Sequence, residues 1–98
     1  MADDNILEAV FVAVISSDTT ESAVNDNLDE LAFLAETAGV HGVKRFVQKL
    51  DRPNSRQYIG TGKLEEIKTY LELHEIELVI TDDELTPAQL KNLEIGLH

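Results

Sequence analysis

The sequence predicts a small α/β domain with a parallel sheet and helices on both faces, and three observations carry that reading. Ala9-Val-Phe-Val-Ala-Val-Ile15 is a continuous apolar run rich in β-branched residues, as a strand buried on both sides requires. Stripes of helical period then alternate with short extended runs. Thr86-Pro-Ala-Gln89 carries a full helix-start signature: a capping hydroxyl, Pro at the first helical position, and Gln three residues after the cap. Strands that alternate with helices imply parallel pairing through right-handed crossovers.

The elements follow in order. The first strand is bounded by Ser16-Ser-Asp-Thr19. Ser16, Ser17, Thr19 and Thr20 read as loop and cap, because no His or Asp pattern beside them suggests a nucleophile. Val24, Leu28, Leu31, Ala35 and Ala38 then form one helical stripe, and Gly39 is placed to end it in the left-handed conformation. Gly42 to Leu50 returns to an extended pattern, and its Lys44, Arg45 and Lys49 suit a strand at the sheet edge, where charge discourages unwanted pairing. Asp51-Arg-Pro-Asn-Ser-Arg56 is a turn by composition.

Leu64, Ile67, Leu71 and His74 mark a second helical stripe with Tyr70 beside it. Glu77-Leu-Val-Ile-Thr81 is a second buried strand run, and Leu85, Leu90, Leu93 and Leu97 supply the apolar face of the last helix. A doubly wound pattern gives the order 2-1-3 for the three strands. No strand returns after Leu97-His98, so a final strand is expected to be missing by truncation.

Composition bounds the function classes. Ninety-eight residues make one domain spanning 1–98, and 43% apolar with 28% charged residues excludes a disordered chain. The absence of cysteine excludes disulfides, thiolate catalysis and cysteine-bound zinc. The acidic start lacks the positive region of a signal peptide. No apolar run approaches the about 20 residues that cross a bilayer. These features lead to the expectation of a soluble, cytoplasmic protein without a membrane segment.

Charge is the most localised feature. The net is −11, yet seven of the eight Lys and Arg residues fall between Lys44 and Lys68. Residues 1–43 carry nine acids and no Lys or Arg, whereas residues 44–63 carry six cations against Asp51 alone. A polyanion avoids the acidic surfaces, but a local cationic cluster can hold a phosphate. Within that island lies Arg56-Gln-Tyr-Ile-Gly-Thr-Gly-Lys63. It is not a nucleotide phosphate loop, because G-x-x-x-x-G-K-[ST] needs Gly at 57 and a hydroxyl at 64, where this chain has Gln57 and Leu64. A glycine turn that opens a helix still directs free N–H groups outward, and the helix dipole favours an anion there. The candidate phosphate- or RNA-binding residues are therefore Arg52, Arg56, Tyr58, Gly60, Gly62 and Lys63, with the Tyr58 ring offered to a nucleobase. The competing reading is that the glycines only permit a tight turn and the cations are solvated.

Leu78-Val-Ile-Thr-Asp-Asp-Glu84 resembles a strand that ends in magnesium-holding acids. Without a phosphate loop, Asp82 and Asp83 are weak metal candidates, and they suit a helix approach or pairing with Arg52, Arg56 or Lys63 better. His41, His74 and His98 lack ligand spacing. The acids of the first helix, Asp26, Asp29, Glu30 and Glu36, read as a solvated face. No catalytic constellation emerges.

Four blocks in order resemble the amino-terminal domain of the HflX family of ribosome-associated GTP-binding proteins. They are Leu28-Asp-Glu-Leu-Ala-Phe-Leu-Ala-Glu-Thr-Ala-Gly39, Val47-Gln-Lys-Leu-Asp-Arg-Pro53, Tyr58-Ile-Gly-Thr-Gly-Lys-Leu-Glu-Glu-Ile67 and Asp82-Asp-Glu-Leu-Thr-Pro-Ala-Gln-Leu-Lys-Asn-Leu-Glu94. Thr86 stands where the family commonly has Ser, which keeps the cap chemistry. The resemblance implies a parallel α/β domain followed by a helical linker and a GTPase domain. GTP and Mg²⁺ are expected in that missing GTPase domain and no cofactor in this chain, whose sequence holds none of the GTPase motifs. It also implies association with the large ribosomal subunit and its RNA, and aid in ribosome splitting or rescue. Tyr58, Gly60, Gly62, Lys63 and Asp82 to Glu84 fall on the family's motifs, and some members are thought to bind ATP or RNA through this domain. The expectation is a ribosome- or RNA-facing domain without hydrolase activity of its own. The alternatives are an ATP site near Gly60–Lys63 or a docking domain that regulates the GTPase domain.

Overall fold

A computed structural model describes residues 6–98. The element order is β1 (Leu7–Ile15), α1 (Glu21–Thr37), β2 (Val40–Lys49), α2 (Thr61–His74), β3 (Leu78–Thr81) and α3 (Pro87–Leu97). The sheet order is β2-β1-β3 with both pairings parallel, which is the architecture and strand order expected from the sequence.

β1 is central because its side chains are apolar in both directions. Val10, Val12 and Val14 point to a core shared with Ile67 and Leu71 of α2 and Leu93 of α3. Phe11 and Ala13 point to the opposite core, closed by Val24, Leu28 and Ala35 of α1. Burying each such aliphatic or aromatic side chain contributes about 1.5–3 kcal/mol, so one strand anchors both helical layers.

The helix ends follow their sequence signals. Thr20 Oγ1 accepts from Ala23 N at 3.0 Å to start α1, and Gly39, at φ 82°, ends it with its N–H on Glu36 O at 3.0 Å. At α3, Thr86 Oγ1 accepts from Gln89 N while Gln89 Oε1 accepts from Thr86 N, at 3.1 and 3.0 Å. α2 is different: its N-cap is Gly60, and no side chain caps it.

Three details depart from the periodicity. β2 begins at Val40, ahead of the expected Gly42, because the Gly39 turn leads straight into pairing of Val40 with Leu7. Leu90 is 51% exposed, since Leu93, with Leu85 and Leu97 beside it, already fills the face that α3 turns to the core. His74, expected on the buried stripe of α2, is exposed in its last turn. β2 forms one edge of the sheet, as its charges suggested, and β3 forms the other. Along β3 an open groove of about 630 Å³ runs between α2 and α3, lined by Leu71, Ile76, Leu78 and Leu97 among others. No helix among the described residues is long and apolar enough to cross a membrane.

Candidate functional site

The basic island folds into one edge of the domain. Its cations lie on β2, on the loop that leaves it, and on the first turn of α2. The loop starts where the strands end: Leu50 N donates to Ile15 O, and Asp51 O accepts from both the N–H and the hydroxyl of Ser17.

Asn54 organises the next turn. Its Oδ1 accepts from Arg56 N at 2.8 Å and Gln57 N at 3.0 Å, while its backbone exchanges two hydrogen bonds with Tyr58. α3 clamps this turn from outside, with Gln89 Nε2 donating to Asn54 O at 2.8 Å and Asn92 Nδ2 to Arg56 O at 2.9 Å. Gln48 of β2 completes the frame by accepting from Gly60 N at 2.9 Å. A loop held at this many points fixes the backbone from which Arg56 extends, which lowers the ordering cost of binding.

Tyr58 is the anchor of the loop. It is 1% exposed and adopts φ 76°, a left-handed conformation that costs a non-glycine residue about 1–3 kcal/mol and persists only when its surroundings impose it. Here the two backbone hydrogen bonds with Asn54, the Ile59 N–H donated across the residue to Gln57 O, and the buried ring impose it. Its hydroxyl donates to Asp83 Oδ2 at 2.8 Å. Burial first, then this bond to Asp83, pushes the phenol far above its ordinary value. The side chain belongs to the buried core cluster that also holds Val12, Val14 and Ile59, which corrects its expected use as a platform for a nucleobase.

The other predicted residues divide clearly. Arg52 and Arg56 are exposed and make no ion pair among the described residues. Lys63 leans on its own helix, 3.2 Å from Glu66 Oε1. The amides of Thr61, Gly62 and Lys63 open the helix without a side-chain acceptor. A Cβ added at Gly62 would meet nothing within 4 Å, whereas one at Gly60 would lie 3.1 Å from Gln48 Nε2. Gly62 is therefore not required by packing, whereas Gly60 lies close against Gln48.

Asp82 and Asp83 do not neutralise the island. Asp83 is engaged by Tyr58, and no ion pair links residues 82–84 to Arg52, Arg56 or Lys63 among the described residues. Asp82 is half-buried, and burial followed by repulsion from Asp83 raises its carboxyl above the ordinary 3.8. A carboxyl with a raised folded-state value favours the folded state fully only below pH 3.8, and that contribution is lost as pH rises through the folded value. Asp82→Asn is thus expected to raise Tm at pH 7, with the gain shrinking toward zero in acid. Thermal melts between pH 3 and pH 8 check this, and a gain independent of pH would contradict it.

No group of three His, Asp or Glu among the described residues is arranged to hold a metal ion. The residues present do not fit GTP and Mg²⁺ either, since Lys63 is turned to Glu66, Asp83 to Tyr58, and position 64 is the buried Leu64. Sequence reasoning placed Asn54 in a turn but missed Gln48, Gln89 and Asn92 as its frame, because their bonds form only where the loop meets β2 and α3. For Gln89 the capping signature was visible, but its second bond, to Asn54 O, was not.

Comparison with known proteins adds the context for this arrangement. The family described as "GTP-binding GTPase N-terminal" matches residues 25–98. The chain is 44% identical over 89 residues to the GTPase HflX of Flavobacterium psychrophilum, covering 91% of the chain and 22% of the relative. It is 46% identical over 89 residues to the GTPase HflX of Caldanaerobacter subterraneus, covering 91% of the chain and 20% of the relative. Against the GTPase HflX of Escherichia coli it is 29% identical over 75 residues, 76% of the chain and 18% of the relative. The chain spans about a fifth of the length of these curated relatives.

Proposed function

Because the chain belongs to the HflX GTPase family as its amino-terminal domain, we propose that it is the RNA-facing module of a GTP-binding protein that engages the large ribosomal subunit and helps split or rescue ribosomes. The 98 residues position the protein and hydrolyse nothing. GTP and Mg²⁺ belong to a GTPase domain outside this chain, and the protein acts in the cytoplasm.

The observation that carries the reading is a clamped loop whose Arg52 and Arg56 are exposed and unpaired among the described residues, leading directly into the uncapped start of α2. Cations and open amides both favour phosphate oxygens. The rest of the domain, acidic on both sides of the island in sequence, suppresses non-specific attachment to RNA. Arg56→Ala combined with Lys63→Ala is expected to weaken co-sedimentation with large ribosomal subunits. The pair should also lower the salt slope of binding by roughly 1.5–2, the loss of about two phosphate contacts. Unaltered binding by this variant would reject the reading.

A second reading, in which the domain docks on the GTPase domain and regulates it, is favoured by Phe33 and Leu34, 68% and 55% exposed on α1. GTP turnover of the full protein with and without residues 1–98 separates the two, because a module that only positions the protein leaves basal turnover unchanged.

A further inference from the structure

We infer that the edge formed by β2 and α2 carries a stacking shelf, Tyr70 and His74, that takes unpaired bases of single-stranded RNA. This rests on the RNA reading above and deepens it from phosphate contact to base contact.

The two rings lie with centroids 4.2 Å apart and planes at 37°. Spacing of four residues puts them on one helix face. Behind them, buried Phe46 of β2 meets Tyr70 edge-on at 5.5 Å and 77°, which fixes the Tyr70 ring. Lys44 Nζ sits 5.7 Å from the Phe46 ring centre and brings a cation to the same edge. His74, the basic residue in the last turn of α2, is exposed and makes no hydrogen bond or ion pair among the described residues, so its ring is held only by Tyr70. An exposed imidazole resting on a braced tyrosine presents an aromatic face to solvent.

Position selects the ligand. Lys63, Tyr70 and His74 share one stripe of α2, so the rings lie about 10 and 16 Å below the open amides at the 1.5 Å rise per residue. That reach is within the few nucleotides a single-strand site covers, with phosphates at the helix start and bases on the rings. Glu66, one turn from Lys63 on the same helix, is paired with it. A duplex hides its base faces, so the shelf selects unpaired strands. Base stacking of this kind tolerates any base and takes over the role that the buried Tyr58 ring cannot fill.

The test uses the 98-residue chain and a single-stranded hexa-adenylate RNA at low salt, with fluorescence anisotropy and proton NMR of the His74 and Tyr70 rings. His74→Ala is expected to weaken binding about 5- to 100-fold, the equivalent of losing one stacked base, while leaving Tm and the salt slope unchanged. Tyr70→Phe, which keeps the ring, is expected to retain affinity. RNA should shift the His74 and Tyr70 ring signals, and a duplex of equal length should not. Salt-dependent wild-type binding with an unaffected His74→Ala variant and unmoved ring signals would overturn the shelf and leave the phosphate reading standing. No wild-type binding at low salt would likewise overturn the shelf, while the phosphate reading is decided separately by binding to large ribosomal subunits.

Discussion

Tyr58→Ala is expected to lower the unfolding free energy by about 3–5 kcal/mol, the range for deleting a large buried aromatic side chain. The residue is 1% exposed and joins β1, α2 and the basic loop in one core, so the cavity would open where three segments meet. Tyr58→Phe isolates the hydroxyl. Losing its bond to the Asp83 carboxylate should cost about 1.5 kcal/mol, the low end for a charged acceptor, because Asp83 is itself exposed. The phenol adds a pH signature. Its folded-state value lies above the ordinary 10.0, so its contribution is complete below pH 10 and is lost as pH climbs through the folded value. The wild type should lose stability there and the Phe variant should lose less. Urea titrations at pH 7 and pH 10.5 check both statements, and a Tyr58→Ala variant within about 0.5 kcal/mol of wild type, as at ordinary surface sites, would contradict the anchoring role.

Gly42→Val should be nearly as damaging, by about 3 kcal/mol, at the upper end of what overpacking a core costs. A Cβ at position 42 would sit 2.3 Å from Phe11 Cε2, and Phe11 is 1% exposed. The ring cannot swing outward, because α1 covers it through Val24 and Leu28. The β2 chain is also irregular here: pairing runs from Ala9 with Gly42 to Val10 with Lys44, leaving Val43 as an extra residue. Adding Phe11→Leu to Gly42→Val should recover part of the loss, since the two positions share one space. Chemical denaturation of both single variants and the pair measures this coupling, and strict additivity would contradict the contact.

These two sites mark where sequence reading stops. The two-sided burial of β1, the caps at Thr20 and Thr86, the edge position of β2 and the order 2-1-3 were all legible, because each depends on local chemistry or the hand of crossovers. Gly42 was not legible as a packing requirement, since its constraint comes from a ring on a neighbouring strand. Tyr58 was legible as part of a phosphate-loop-like stretch but not as a core residue. Its alternation belongs to no element, and its burial follows from a left-handed turn held by Asn54. The periodicity puts His74 on the buried stripe of α2 with Tyr70 beside it, whereas Tyr70 packs half-buried against Phe46 and His74 lies exposed in the last turn.

Binding of the wild-type chain to large ribosomal subunits, followed over a salt series from about 50 to 200 mM, tests the central claim most directly. Phosphate contacts by a pre-arranged cationic loop predict a steep fall in affinity with salt, and a visibly shallower one once Arg56 and Lys63 are replaced by alanine. Binding that ignores salt, or a slope that survives those replacements, would contradict it.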